Sequence, residues 1–192
     1  MNALYSFVNI GFDEIIPLWA LSTVASGGLD WTTQDIGQVL SLVGAGILVF
    51  EMCVKPLFIK RLGVNRSQRW GAVMSVAIYL AVPYLSLLDG TGLPLTLASS
   101  VILFAANACA NAMYINLALA TNNAVCPSRR GELNGLAMTA CSLTKAAAPF
   151  CCSVIFAWSI NHPHPFPLNH HLIYILLALG MLVVAIAGWD TI

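Results

Sequence analysis

Residues 95–119 read LTLASSVILFAANACANAMYINLAL, an unbroken run with no charged side chain. An α-helix rises about 1.5 Å per residue, so roughly 20 apolar residues cross the ~30 Å hydrocarbon core of a bilayer. This stretch is long enough. Outward from it, five more apolar runs can be marked at 3–23, 36–59, 70–88, 133–158 and 172–189. Helix breakers separate them: Gly27-Gly28, Gly63 with Asn65, Gly90 with Gly92 and Pro94, Pro127 with Gly131, and the proline-rich stretch from Asn161 to His171. Strands of a membrane barrel would alternate over about 10 residues, whereas these runs are apolar on nearly every face. Helices are the remaining backbone that satisfies its own hydrogen bonds in lipid. The sequence therefore predicts an all-α membrane protein, with residues 1–192 forming one six-transmembrane-helix bundle.

Composition points the same way. Of the 192 residues 59% are hydrophobic and 8% charged, with a mean hydropathy of +0.83, whereas a soluble domain carries about 25% charged residues. Too few charges remain to cover a surface in water. Net charge is zero and no basic or acidic block occurs, which argues against a nucleic-acid partner and for the lipid bilayer as solvent. Six cysteines, at 53, 109, 126, 141, 151 and 152, fall mostly inside apolar runs without ligand spacing. They read as small packing residues between helices. The N-terminus lacks a basic flank, and Asp13 and Glu14 interrupt its first apolar run, a pattern unlike a cleaved signal peptide.

Orientation follows from the basic residues. Lys60, Arg61, Arg66 and Arg69 lie between the second and third runs, Arg129 and Arg130 lie between the fourth and fifth, and the three loops on the other side hold no Lys or Arg. By the positive-inside rule both termini are cytoplasmic. Plasma and vacuolar-type membranes fit equally.

Charge near the middle of a bilayer is costly and invites a functional hypothesis. Asp13 and Glu14 lie about ten residues from the outer end of the first run, roughly 15 Å deep, and Lys145 is similarly central in the fifth. Adjacent helical residues point about 100° apart, so one acid is expected to face a cavity and the other a neighbouring helix. A buried ion pair of this set with Lys145 is the competing structural reading. Glu51 lies about eight residues from the cytoplasmic end of the second run, roughly 12 Å in. Lys55 follows it at i, i+4, the favourable order for a local neutralising pair, and its long stem could snorkel outward. These four, Asp13, Glu14, Lys145 and Glu51, are the candidates for transport or proton coupling. Asn107 and Asn111 stack on one face of the fourth run, and Asn134, Met138, Ser142, Lys145 and Pro149 form a polar stripe on the fifth. Asn107, Asn111, Asn134 and Ser142 are thus cavity-lining candidates, with helix-to-helix hydrogen bonding as the alternative for the amides. Runs three and six carry no charge within their apolar parts, so runs one, two, four and five read as inner helices.

All four histidines lie in the outer loop from Asn161 to His171. Imidazole is a common ligand of zinc or copper, yet no fixed-spacing motif is present, and the interleaved prolines read as an extended turn instead of a metal centre. No His falls inside an apolar run, which argues against an intramembrane hydrolase needing a base beside its nucleophile. Walker-type glycine loops are absent as well. Neither an enzyme nor a bound cofactor is expected.

Three stretches resemble one family. Arg130-Gly131-Glu132-Leu133-Asn134-Gly135-Leu136-Ala137-Met138-Thr139 continues through Ser142-Leu143-Thr144-Lys145 to Pro149 and closes with Phe156-Ala157-Trp158-Ser159. This is similar to the RGxxNGxAMTxxSLxKAxxP pattern of the eleventh helix in the zinc-induced-facilitator-like branch of the major facilitator superfamily. Gly27-Gly28-Leu29 with Asp35-Ile36-Gly37-Gln38-Val39-Leu40 and Gly44-Ala45-Gly46 resembles the join of helices seven and eight, and Lys60-Arg61-Leu62-Gly63 with Arg66 and Arg69 the basic loop after helix eight. The resemblance implies helices seven to twelve of a twelve-helix fold, with seven and ten lining a central cavity and eight and eleven beside them. It implies secondary active transport of a small-molecule substrate, commonly proton-driven, and either a missing N-terminal six-helix half or a partner chain. A non-transporting membrane partner of a full-length transporter is the alternative. Glu51, Lys55 and the Cys151-Cys152 pair depart from the family pattern, which bears on how helices eight and eleven pack.

Overall fold

The structure, a computed structural model, describes residues 1–62, 64–87, 93–161 and 165–189. Helix α1 covers Asn2–Leu21 and leads through a short turn at Val24–Ser26 to α2, Thr33–Val49. Helix α2 starts on a reciprocal cap: the Asp35 backbone N–H donates to Thr32 Oγ1 at 3.3 Å, and the Thr32 N–H donates to Asp35 Oδ2 at 2.9 Å. Such a cap satisfies two amide groups that no helical carbonyl can reach. A π-turn at Phe50–Val54 carries the rod without a break into α3, Lys55–Leu62. Helix α4 spans Val64–Ala81 and tightens into a 3-10 segment, Val82–Leu87, where Pro83 withdraws an amide donor. Helices α5 (Leu93–Asn123), α6 (Arg130–Asn161) and α7 (His171–Trp189) follow.

The all-helical membrane architecture holds: no strand occurs among the described residues. The count of spans is smaller by the simplest test. Four stretches, Thr33–Leu57, Arg69–Leu87, Leu93–Asn123 and Pro127–Asn161, are long and apolar enough to cross a bilayer, and His171–Ala187 is a shorter apolar helix. Helix α1 is not among the four. Its Asn9, Asp13 and Glu14 dilute an otherwise apolar run.

Packing links the helices in the order α2, α5, α4, α7, α1, α6, each against the next, and leaves α2 and α6 on the flanks. The core sits around α1, α4 and α7, where Phe12 stacks on Tyr79 with ring centres 4.2 Å apart. Tyr5 also reaches from α1 to α5, its hydroxyl donating to the Ala110 carbonyl at 2.5 Å. Small residues let the backbones approach. A Cβ at Gly11 of α1 would lie 2.6 Å from Cys152 Sγ of α6. The departure at Cys151-Cys152 is therefore accommodated across the interface, with Gly11 giving the room that a small residue on α6 would otherwise supply.

Two expectations from the sequence need correction here. The plain helices α4 and α7 are not peripheral within this chain. They pack on each other, while α2 and α6, expected inside, leave broad apolar faces uncovered, including Met52 at 78% and Phe150 at 73% exposure. Polarity alone therefore does not rank helices by burial against their own chain. Nor are the cysteines uniformly packing residues: all six are free thiols, Cys152 is buried, and Cys53 and Cys126 are exposed.

Candidate functional site

Asp13 and Glu14 stand side by side on α1, and both are exposed. Asp13 Oδ2 accepts a long hydrogen bond of 3.4 Å from Asn9 Nδ2, one turn earlier on the same helix. The expected division, one acid toward a cavity and one toward a neighbouring helix, is not found. The two flanking pairs, Gly11-Phe12 and Ile15-Ile16, take the buried face of α1 instead, which turns both acids outward.

Lys145 is also exposed, in the middle of α6. Although α1 packs more extensively against α6 than against any other helix, Lys145 makes no ion pair with Asp13 or Glu14. Three charges thus lie on two adjoining helices without neutralising one another. Ser142 is exposed on the same helix nearly one turn away, and Pro149 is half-buried.

Glu51 and Lys55 behave differently. Lys55 Nζ donates to both carboxylate oxygens of Glu51, at 2.8 and 2.6 Å, with the lysine side chain 7% and the glutamate 32% exposed. The lysine does not snorkel outward; it folds back along its own rod. The pair sits on the π-turn, whose wider winding brings Phe50 edge-on to Phe104 of α5, ring centres 5.8 Å apart.

The amides divide in the same way. Asn107 is half-buried and its Nδ2 donates to the Leu103 carbonyl of its own helix at 3.0 Å. Asn111 is half-buried beside it, and Asn116 is 2% exposed with an unpartnered Oδ1. Asn134 is half-buried and spends its amide on a neighbouring helix. Its Nδ2 donates to Asn122 Oδ1 at 2.8 Å, and Arg130 Nε donates to the Asn122 carbonyl at 3.0 Å. Beside them Asn2 Nδ2 donates to Thr121 Oγ1 at 2.7 Å. The Arg-Gly-x-x-Asn segment therefore clasps the end of α5 to the start of α6, with the N-terminus of α1 tied in. Helices of this length, about 46 Å for α5, outrun the hydrocarbon, which is where such a polar clasp can form.

At the opposite end the turn after α1 is pinned by aromatic groups. Trp19 Nε1 donates to the Gly27 carbonyl at 2.9 Å, and Trp19 meets Tyr174 of α7 edge-to-face, centres 5.9 Å apart. Gly27 adopts a φ of +83°, and a Cβ there would lie 2.1 Å from the His170 ring, so a side chain is excluded twice over. Burial, and then the neighbouring His171, hold the His170 imidazole down to about 4. Trp19 is this anchor. His162 and His164 lie outside the described residues. Among the described residues no group of His, Cys, Asp or Glu could hold a metal ion.

Comparison with known proteins now bears on these placements. A probable peptide/nitrate transporter of Arabidopsis thaliana is 35% identical over 156 residues, 81% of this chain and 32% of that protein. Zinc Induced Facilitator 1 of the same plant is 33% identical over 177 residues, 91% of this chain and 36% of its own length. A major facilitator superfamily multidrug transporter of Aspergillus fumigatus is 27% identical over 163 residues, 76% and 26% of the two chains. The chain is homologous to major-facilitator transporters. No family model matches the chain, and no solved structure does. It spans about a third of the length of the curated relatives it matches. Multiple apolar helices and this kinship make it an integral, multi-pass membrane protein.

Sequence reading missed Asn122, Thr121 and Asn2, the partners in the clasp. Asn122 and Thr121 fall just past the apolar run, where short polar residues look like ordinary loop. The signal that could have found them is the need of Asn134, one turn into α6, for a partner on the facing helix.

Proposed function

We propose that this chain is the C-terminal six-helix half of a secondary active transporter that moves a small organic molecule in exchange for protons. Both termini face the cytoplasm in this reading. The supporting observation is an uncovered flank: Asp13, Glu14, Ser142 and Lys145 are exposed on the adjoining helices α1 and α6, and α6 also leaves apolar residues such as Leu143 and Phe150 uncovered by the chain itself. Charges in such a place are costly in lipid and useful in a watered cavity between two halves, where transporters of this general build hold their substrates. The transporter names of the relatives agree with this assignment.

In mechanism, a carboxylate at Asp13 or Glu14 takes a proton from one side of the membrane. Neutralising that carboxylate removes its pull on Lys145, which pairs with neither acid in this structure, and leaves the lysine's charge to substrate or to the second acid. Release of the proton to the other side restores the starting field. Glu51, already held by Lys55, contributes charge balance on its own rod.

Proteoliposomes test the assignment. This chain reconstituted alone, and again with the first six helices of Zinc Induced Facilitator 1, would be given an inward proton gradient and a panel of small organic solutes. Saturable, gradient-driven flux is expected only with both halves present. Flux by this chain alone would overturn the half-transporter reading.

A further inference from the structure

Packed in the order α2, α5, α4, α7, α1, α6, the rods form an arc with α2 and α6 at its ends, and each end presents a helix face that the chain leaves uncovered. In steps of three or four along α2, the exposed positions are Gly37, Ser41, Gly44 and Leu48, with Met52 next on the π-turn. The same step along α6 gives Gly131, Gly135, Thr139, Ser142, Ala146 and Phe150, all exposed. Both faces begin with small side chains and end with large apolar ones: Leu48 is 66%, Met52 78% and Phe150 73% exposed. A Cβ at Gly37, Gly44, Gly131 or Gly135 would meet nothing within 4 Å.

Direction decides how these faces can match. The Asn2–Thr121 and Asn122–Asn134 bonds put the starts of α1 and α6 at the same end of the bundle, and α2 follows the turn at the far end of α1. Helices α2 and α6 therefore run in opposite directions. A two-fold axis along the bilayer normal keeps every helix direction, so α6 of one copy lies antiparallel to α2 of a second. The α2 rod, continued to Leu62, and α6 are nearly equal in length, about 45 and 48 Å. With their ends aligned, Phe150 falls opposite Gly44, Leu48 opposite Ala146 and Met52 opposite Ser142. The large end of each face meets the small end of the other.

We propose that a second copy of this chain docks across the two ends of the arc, α6 of each copy against α2 of the other, in a closed two-fold dimer. An isologous contact needs a surface that complements itself, and these two faces do so in shape. In lipid, apolar surface alone gives helices no drive to associate, and close packing of large side chains against small ones supplies it. Two seams, each about 45 Å long and ~10 Å wide, cover on the order of 1,800 Å² counting both copies, the size of a stable interface. Charge favours a copy over lipid as well. Asp13, Glu14 and Lys145 carry both signs and are exposed, so the same set turned about the axis offers counter-charges across the enclosed space, which lipid tails do not. The inference rests on reading this side of the chain as a docking face, as the proposed function does, but not on transport.

Single-molecule photobleaching of the fluorophore-labelled 192-residue chain in liposomes, over a range of protein-to-lipid ratios, counts the copies. Dimers and nothing larger are expected. Phe150→p-benzoylphenylalanine, irradiated in a mixture of light and isotope-labelled chains, should crosslink between copies to the Gly37–Leu48 stretch of α2. Gly44→Leu has open space within its own chain and should weaken the dimer roughly ten-fold, whereas Leu179→Ala on the exposed face of α7 should leave it unchanged. Monomers at every ratio, assemblies that grow beyond two, crosslinks outside α2, or indifference to Gly44→Leu would each overturn the proposal. Adding the first six helices of Zinc Induced Facilitator 1 separates the two readings. Dimers that persist without flux keep this inference and end the half-transporter one; a chain that is monomeric alone but gains flux with those helices does the reverse.

Discussion

Glu51 and Lys55 find each other on one rod at 2.6 Å, whereas Lys145 on α6 stays apart from Asp13 and Glu14 on α1, although those helices adjoin. Within a rod, one turn of helix fixes the separation, and the partners meet whatever the rest of the molecule does. Between rods, meeting depends on which face each helix must bury. Helix α1 buries Gly11, Phe12, Ile15 and Ile16, which leaves its acids pointing out. A pair completed locally has no charge to offer. A set left open in the membrane must be answered by something outside the chain or by function.

The largest expected effect breaks the comparison at its open side. In this chain joined to the first six helices of Zinc Induced Facilitator 1, Lys145→Ala should reduce proton-driven transport to background while the protein still reaches the membrane. Neither Asp13→Asn nor Glu14→Gln, added to it, should restore activity. Near-normal, pH-dependent transport in either double variant would place Lys145 with Glu51 and Lys55, as charge that serves assembly.

The closed side is tested by stability. Lys55→Met alone should destabilise the chain by about 3 kcal/mol, because it leaves Glu51 without its counterion, while Glu51→Gln with Lys55→Met should return to within about 1 kcal/mol of the original. Unfolding in detergent, followed by circular dichroism, reads the difference. Equal loss in single and double variants would mean the pair does more than neutralise itself.

A smaller effect is expected where neutral groups close the gap between rods. Asn134→Ala removes the 2.8 Å bond to Asn122 and should cost about 1 kcal/mol, with Asn122→Ala adding little in the double variant. Additive losses would show that the two amides act independently.

The smallest effect concerns pH. His170 is held down to about 4, below its ordinary value of about 6.5, so the folded chain binds this proton less readily than the unfolded chain. The stability it confers is complete above pH ~6.5 and is lost as pH falls toward 4. Melting temperature should drop over that window, and His170→Phe should flatten the drop. An unchanged slope in His170→Phe would assign it to other groups.

The helices were legible because membrane-spanning runs announce themselves by length and lack of charge. Residues 95–119 became α5 with a few residues added at each end, and 133–158 became α6 likewise. The Glu51–Lys55 pair was legible for the same reason that it forms: spacing along one helix is written in the numbering. What could not be read was which way a helix is turned. Asp13 and Glu14 differ by one position and both proved exposed, because the choice of buried face rests on the fit of Gly11 to Cys152 from a residue 141 positions away. Asn134 was read as a cavity residue since nothing in the numbering marks Asn122 as its partner.

The π-turn at Phe50–Val54 resembles a dislocation in a crystal lattice: one extra residue inserted in a regular stack, with perfect order on either side. Each residue of an α-helix advances the winding by about 100°, so everything from Lys55 onward is out of phase by that angle with the positions Thr33 to Val49. A stripe counted in threes and fours from Ile36, Val39 and Val43 does not continue down the same side of α3. Evolution can therefore repaint the two ends of this rod separately. Deleting any one residue between Phe50 and Val54 would heal the fault and swing the basic end of α3 through a quarter-turn relative to α5, without changing the chemistry of a single remaining side chain.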